Sequence, residues 1–342
     1  NEWAVSVVAA HDSLSFFCGV DAVLMSADHM LAEVSDKVAR GALGVKIVLS
    51  DMQIRGDDPR HLPLFDYCQS NGIPVLSQVS GSGAARQAVA RHWPGKAARP
   101  EPEHVLLLPS SSEAYHYLFT LLCDVGDEVL APEPSYPLLA HLARYAGVVL
   151  VPYRLAYDGA WHIDIDSVRR SRSARTRAVI LISPNNPTGS YTSDAELDGL
   201  ARLGVPLISD EVFARYDLEP ARPKRLSALG ATPALTFCID GLSKSAGLPQ
   251  SKLSWIAVSG PAERVREAMH RLSWIADTFL SVATPIQLAL PSVLERSAAF
   301  RAPFLERLAQ NLATLRAALA GSAANVLACQ GGWYAVVRMP DV

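Results

Sequence analysis

The sequence predicts an α/β protein, with a large doubly wound, mostly parallel sheet and a smaller α+β domain. Two observations carry the large sheet. Between residues 103 and 259, short apolar runs alternate with stretches of helical period. Those runs are continuous and rich in Val, Ile and Leu, as strands covered on both faces are. A third observation carries the smaller domain. After Gly260 the chain reads as mostly helix, then as two short strands. The expected division is 50–274 for the large domain, with 1–49 and 275–342 forming the smaller one.

In order along the chain, LAEVSDKVARG (31–41) predicts a helix and VKIVLSD (45–51) a strand entering the loop RGDDPRHLP (55–63). EHVLLLP (103–109) predicts a strand. SEAYHYLFTLLCDVG (112–126) predicts a helix stopped by Gly126. DEVLAP (127–132) is the next strand, PSYPLLAHLARYAG (134–147) a helix and VVLVPYRL (148–155) a strand. RAVILIS (177–183), VPLISD (205–210), ALTFCID (234–240) and LSWIAVS (253–259) are further strands, with a helix between 193 and 203. Residues 261–320 predict helices broken near Pro285, Pro291 and Pro303, followed by strands NVLAC (325–329) and WYAVVR (333–338).

Composition narrows the function classes. Hydrophobic residues make up 49% of the 342 and charged residues 19%, so the chain folds rather than staying disordered. A net charge of −3 without a basic stripe argues against nucleic-acid binding. The five cysteines form no CxxC pair, which points to buried thiols in a reducing, cytoplasmic setting. No apolar run reaches membrane-spanning length, and NEWAVSVV has no basic leader region.

In open parallel sheets, ligands bind beyond the carboxyl ends of the strands. After 103–109 comes SSSEA, opening a helix whose unpaired N–H groups suit an anion, although an ordinary N-cap explains the serines as well. After the next strands come Tyr136 in EPSYP, the segment SPNNPTG, Asp210 in SDEVF, and DGLSKSAGLPQSK. Each has an ordinary reading: a core ring, a turn, a capping acid, a solvated lysine. Together they supply what pyridoxal phosphate requires: a lysine for a Schiff base, an acid for the pyridine nitrogen and a phosphate cradle.

SPNNPTG (183–189), DEVF (210–213), GLSKSAGLPQSKLSWI (241–256) and SSSEAYHYLFTLLCDVGDEVLAPEPSYPL (110–138) give the chain a clear resemblance to the fold-type I aminotransferases of the class I/II branch, from about residue 81 to 338. The resemblance implies that the large domain holds pyridoxal 5'-phosphate. Lys244 would form the internal aldimine and shuttle the Cα proton, and Asp210 would keep the pyridine nitrogen protonated. Asn186 would bond the ring oxygen and Tyr136 would stack on the ring. Ser111 and Ser112 would take the phosphate. Ser243 would join the cofactor contacts, and Lys252 would stand where the family usually has a phosphate-binding arginine. The substrates would be an amino acid and a 2-oxo acid, with a homodimer as the assembly and amino-acid biosynthesis as the setting.

Some positions depart from the family. Lys252 lacks the arginine fork. Phe213 replaces a common tyrosine, Gly241 a common serine, and SQVS (77–80) brings no tyrosine. The family continues past a GGWYAVVR-like strand with a tail that carries the substrate-carboxylate arginine. Residues 1–26 resemble that tail, which gives the expectation of a circularly permuted chain with Asn1 and Val342 close together in the smaller domain. Arg55 is the candidate carboxylate clamp. GSGAAR (81–86) lacks the third glycine of a dinucleotide loop. Two alternatives stay open: a lyase, decarboxylase or replacement enzyme using the same cofactor, and a non-catalytic or regulatory relative.

Overall fold

The structure, a computed structural model, describes residues 1–11, 14–48, 58–78, 81–95, 98–222 and 224–340. Arg55 and Val342 lie outside the described residues, as do the expectations placed on them. The chain forms two compact units, Asn1–Ser80 and Gly81–Val342. This division differs from the one expected, with a reason on each side of the cut. The first segment has a sheet and core of its own. Residues beyond 275 contribute Val282, Leu290 and Leu294 to the main core of the second unit.

In the first unit, β1 (Phe16–Gly19), β2 (Ala42–Val48) and β3 (Val75–Gln78) form a parallel sheet in the order β1-β2-β3. The helices Ala27–Ala39 and Leu62–Ser70 supply Met30, Val34, Leu64 and Cys68 to its core. Ser26 caps the first of these by accepting the His29 N–H. The helix Glu2–Ala9 is tied on by Glu2, which pairs with Lys37 at 2.5 Å and with Arg40 at 2.9 Å. β1 and β3 have no counterpart in the sequence reading.

The second unit is built on eight strands: β4 (Val105–Leu108), β5 (Glu128–Glu133), β6 (Val149–Tyr157), β7 (Trp161–Ile163), β8 (Thr176–Ile182), β9 (Leu207–Asp210), β10 (Thr236–Gly241) and β11 (Ser254–Ser259). Their order is β4-β11-β10-β9-β8-β5-β6-β7, and only β11 and β7 run against their neighbours. The sheet is doubly wound, as expected. Along each strand the side chains divide between two cores: Val179 and Leu181 face one, Ala178, Ile180 and Ile182 the other. Trp255 and Ala257 divide from Ile256 and Val258 in the same way. The helices Ser111–Leu122, Leu138–Tyr145 and Ala262–Asp277 cover one face. The helices Gly83–Arg91, Ile165–Ser171, Asp194–Ala201 and Thr284–Leu319 cover the other.

Two expectations change in detail. The helix Thr284–Leu319 runs through Pro291 and Pro303, and only Pro285 sits in a first turn, where a missing N–H costs nothing. The last strands shorten to β12 (Asn325–Val326) and β13 (Val337–Arg338). Between them, Gln330 and Gly331 donate their N–H groups to the Gly189 carbonyl, and Gly332 donates to that of Tyr216. The QGG segment is thus drawn away from its hairpin and pinned to the SPNNPTG loop.

Candidate active site

Strand register gathers the candidate residues at one edge of the large sheet. Asp210, last in β9, lies opposite Ile182 at the end of β8 and Ile239 near the end of β10. Gly241 pairs with Ser254, and Ser254 pairs with Leu108, which ends β4. The segments leaving these ends carry Ser110–Ser112, SPNNPTG, Asp210, Ser243–Lys244 and, just ahead of β11, Lys252.

Asp210 is 6% exposed. The Tyr115 hydroxyl donates to its Oδ2 at 2.8 Å, and the Val212 N–H to its Oδ1 at 3.2 Å. Burial raises its carboxyl above the ordinary range, and these two donors and the nearby Lys244 charge offset only part of that rise. Sequence reasoning did not single out Tyr115. A signal was available: it lies four residues after Ser111, hence on the same helix face as the first turn.

Lys244 sits in a single helical turn, Leu242–Ser245, directly after β10. The turn is held from behind. Tyr216 donates to the Lys244 carbonyl at 2.5 Å, Arg301 to the Ser245 carbonyl at 2.7 Å, and the Ser245 hydroxyl to the Gly241 carbonyl at 2.8 Å. The Lys244 Nζ lies 5.0 Å from the Trp333 ring centroid and 5.9 Å from that of Phe213. Among the described residues it has no carboxylate within ion-pairing distance. Tyr216, Arg301 and Trp333 are further residues that sequence reasoning missed.

The serines divide their work. Ser110 is the N-cap, accepting the Glu113 N–H at 3.2 Å. Ser111 and Ser112 are half-buried in the first turn. The half-buried Tyr136 phenol is raised first by burial and then by Asp210 and Tyr334, with Ser112 pulling it down. Tyr136, Ser112 and Asp210 therefore share one neighbourhood. The two asparagines divide likewise. Asn185 is structural, its amide donating to the Pro134 carbonyl at 3.2 Å and to Thr188 Oγ1 at 3.0 Å. The Asn186 side chain is half-buried and makes no protein hydrogen bond among the described residues.

Three departures acquire physical content. A Cβ at Gly241 would meet Ser254 Oγ at 2.2 Å, so space there excludes a serine. Phe213 is buried and packs edge-on to Tyr216, Trp333 and Tyr334. Lys252 is exposed, with φ 49 and ψ 56, and makes no ion pair among the described residues. Ser243, beside Lys244, is half-buried.

Behind Lys244 lies a second buried acid. Asp240 accepts the Gly241 N–H at 2.6 Å and is raised to about 7, by burial first and against the pull of Arg215. The described residues hold no cluster of metal-ligand type and no helix long and apolar enough to cross a membrane.

Comparison with known proteins gives a consistent picture. The profile of the family "Aminotransferase class I and II" matches residues 69–342. Nicotianamine aminotransferase B of Hordeum vulgare is 33% identical over 228 residues, covering 64% of this chain and 41% of its own length. Glutamate-pyruvate aminotransferase AlaA of Haemophilus influenzae is 27% identical over 248 residues, covering 71% and 59%. The chain thus spans about half the length of the curated relatives it matches. Among solved structures, alanine aminotransferase from Pyrococcus furiosus aligns with a TM-score of 0.69 at 24% identity, over 91% of this chain and 80% of that one. At that identity the likeness is one of fold.

Proposed function

The chain belongs to the class I and II aminotransferases, and from that premise we propose that it moves an amino group between an amino acid and a 2-oxo acid with pyridoxal 5'-phosphate. The observation that carries the reading is the sheet edge that brings together buried Asp210 and Lys244, which has no ion pair among the described residues. The residues fit the cofactor. A carboxylate is held at a strand end, an amine has no competing acid, and the Asn186 amide has no protein partner among the described residues. Ser111 and Ser112 stand at the free N–H end of a capped helix. When bound, the cofactor supplies an electron-withdrawing ring that stabilises negative charge at the substrate Cα.

Each residue then has a task. Lys244 would hold the cofactor through Nζ and, as the free amine, would move the proton at the substrate Cα, first as base and then as acid. Asp210 holds the proton on the ring nitrogen, a charge-assisted hydrogen bond contributing about 1.5–3 kcal/mol. Asn186 bonds the ring oxygen and Tyr136 covers the ring face. Ser111 and Ser112 take the phosphate, Lys252 faces it as a point charge, and Ser243 borders the attached lysine. Phe213 and Trp333, beside Nζ, exclude water from the reacting atoms.

The finer assignments have their own support. An exposed apolar patch of Tyr145, Phe279 and Leu280, joined through the His116 ring, favours a second copy as partner. The five free cysteines favour a reducing, cytoplasmic compartment, and amino-group transfer favours a place in amino-acid biosynthesis.

The test is a single turnover. Protein loaded with pyridoxal phosphate is mixed with each of a panel of amino acids, without oxo acid. Transfer of the amino group to the cofactor, with release of the matching 2-oxo acid, supports the proposal. Release of ammonia or carbon dioxide without that transfer points instead to a lyase or decarboxylase.

A further inference from the structure

We propose that Tyr115 is the positioning residue that keeps Asp210 ionised and oriented toward the ring nitrogen of the cofactor. The inference rests on the pyridoxal phosphate reading above and adds to it a residue outside the motifs that carry that reading.

The geometry is specific. The Tyr115 hydroxyl is 2.8 Å from Asp210 Oδ2, and both side chains are buried, at 1% and 6% exposure. A buried carboxylate is costly unless donors satisfy it. Asp210 is faced by Tyr115 from the helix Ser111–Leu122, by the Val212 N–H, by Lys244, by Tyr136 and by Asp240 in β10. Among the side chains, Tyr115 alone donates a hydrogen bond to the carboxylate within the described residues.

A phenol suits this task. The Tyr115 hydroxyl is pushed far above its ordinary value, by burial first and then by Asp210 itself. Its proton therefore stays on oxygen across the neutral range, and toward an ionised carboxylate, which has no proton to give, it donates. An imidazole in its place would change charge near neutrality. The tyrosine thus gives Asp210 a donor whose own charge does not change, and the hydrogen bond favours the ionised carboxylate that the ring needs.

The helix makes the arrangement rigid. Ser110 caps it, Ser111 lies one turn before Tyr115 on the same face, and Phe119 packs against the Tyr115 ring at 6.1 Å between centroids. One element therefore carries both the candidate phosphate cradle and the donor to the ring-nitrogen acid. A shift of this helix would disturb both ends of the cofactor at once.

The experiment titrates pyridoxal phosphate into the cofactor-free parent and into Tyr115→Phe, by fluorescence quenching, from pH 5 to 8. Losing the donor raises the Asp210 carboxyl, so less of it is ionised in acid. Binding by the variant should be about tenfold weaker at pH 7, and the ratio to the parent should grow as pH falls. A role confined to packing would leave that ratio flat. Equal affinities, or a flat ratio, overturn the inference. A parent that takes up no cofactor overturns the functional reading and this inference together, which is a distinguishable result. Should the variant fail to fold, carboxyl carbon-13 resonances of aspartate in the parent decide the matter, with Asp210 assigned from Asp210→Asn. A signal that is ionised at pH 7 supports the inference, and one still protonated at pH 7 overturns it.

Discussion

Tyr216 donates its hydroxyl proton to the backbone carbonyl of Lys244, 2.5 Å away, from a position 28 residues earlier in the chain. The bond closes the C-terminal end of a helix only four residues long, where carbonyls lack partners inside the helix. It also aims the Lys244 side chain by fixing its backbone.

Tyr216→Phe removes that bond and leaves the ring in place. The Lys244 carbonyl then keeps the Gly247 N–H, at 3.3 Å, and the loss is that of one hydrogen bond, about 0.5–1.5 kcal/mol. The thermal midpoint should fall by a few degrees. Amino-group transfer should fall more than stability does, because the lysine loses its aim. Arg301 still holds the Ser245 carbonyl, so the fold should survive. A variant with parental turnover would show that Lys244 is aimed by other contacts.

Asp210→Ala should cost far more activity than Tyr136→Phe. The first removes a charge that the ring nitrogen needs, about 10- to 100-fold in cofactor affinity alone, and more in turnover. The second removes only a half-buried hydroxyl, worth about fivefold at most, and keeps an aromatic face. Paired measurements of cofactor affinity and single-turnover rate check the order. Equal, modest losses would mean that Asp210 does not hold the ring nitrogen.

Much of this was legible in the sequence, and the residues show why. Long apolar strands such as RAVILIS announce themselves. The segments that leave their carboxyl ends hold the polar residues of the candidate site, so Asp210, Lys244 and Asn186 can be proposed from the sequence. The strands FFCG and VLSQ are short and mixed, and periodicity says little about them. Pro291 and Pro303 read as breaks, since no local rule reveals that tertiary packing carries a 36-residue helix through them. Tyr115, Tyr216 and Arg301 act across the tertiary fold. Their partners lie 95, 28 and 56 residues away in sequence.

Asp240 gives a pH signature. Its folded pKa, about 7, is raised above the ordinary aspartate value, so between about 4 and 7 the folded state binds more protons than the unfolded one. Stability from this group is fully present below about pH 4 and is lost as pH rises toward and through 7. Asp240→Asn removes the titration. The difference between parent and variant unfolding free energies should therefore slope across pH 4 to 7 and level off above it. Denaturant unfolding at several pH values measures this. A difference that is flat across the window would show that Asp240 is ionised at an ordinary pKa.

Gly247 tests the packing behind the lysine turn. It has φ 65, a backbone region that disfavours side chains, and a Cβ there would meet the Phe300 ring at 2.2 Å. Gly247→Ala therefore carries two costs. The backbone strain is about 1–2 kcal/mol, and the clash adds to it unless the ring moves. Phe300 is 43% exposed, so its ring can be cut away at modest loss. In Phe300→Ala/Gly247→Ala the steric cost disappears and the backbone cost remains. The double variant should consequently be more stable than the sum of the two single losses, with a coupling of about 0.5–3 kcal/mol. Thermal unfolding of the four proteins gives the cycle. Simple additivity would mean that Phe300 does not press on the turn and that the strain at Gly247 is purely of the backbone.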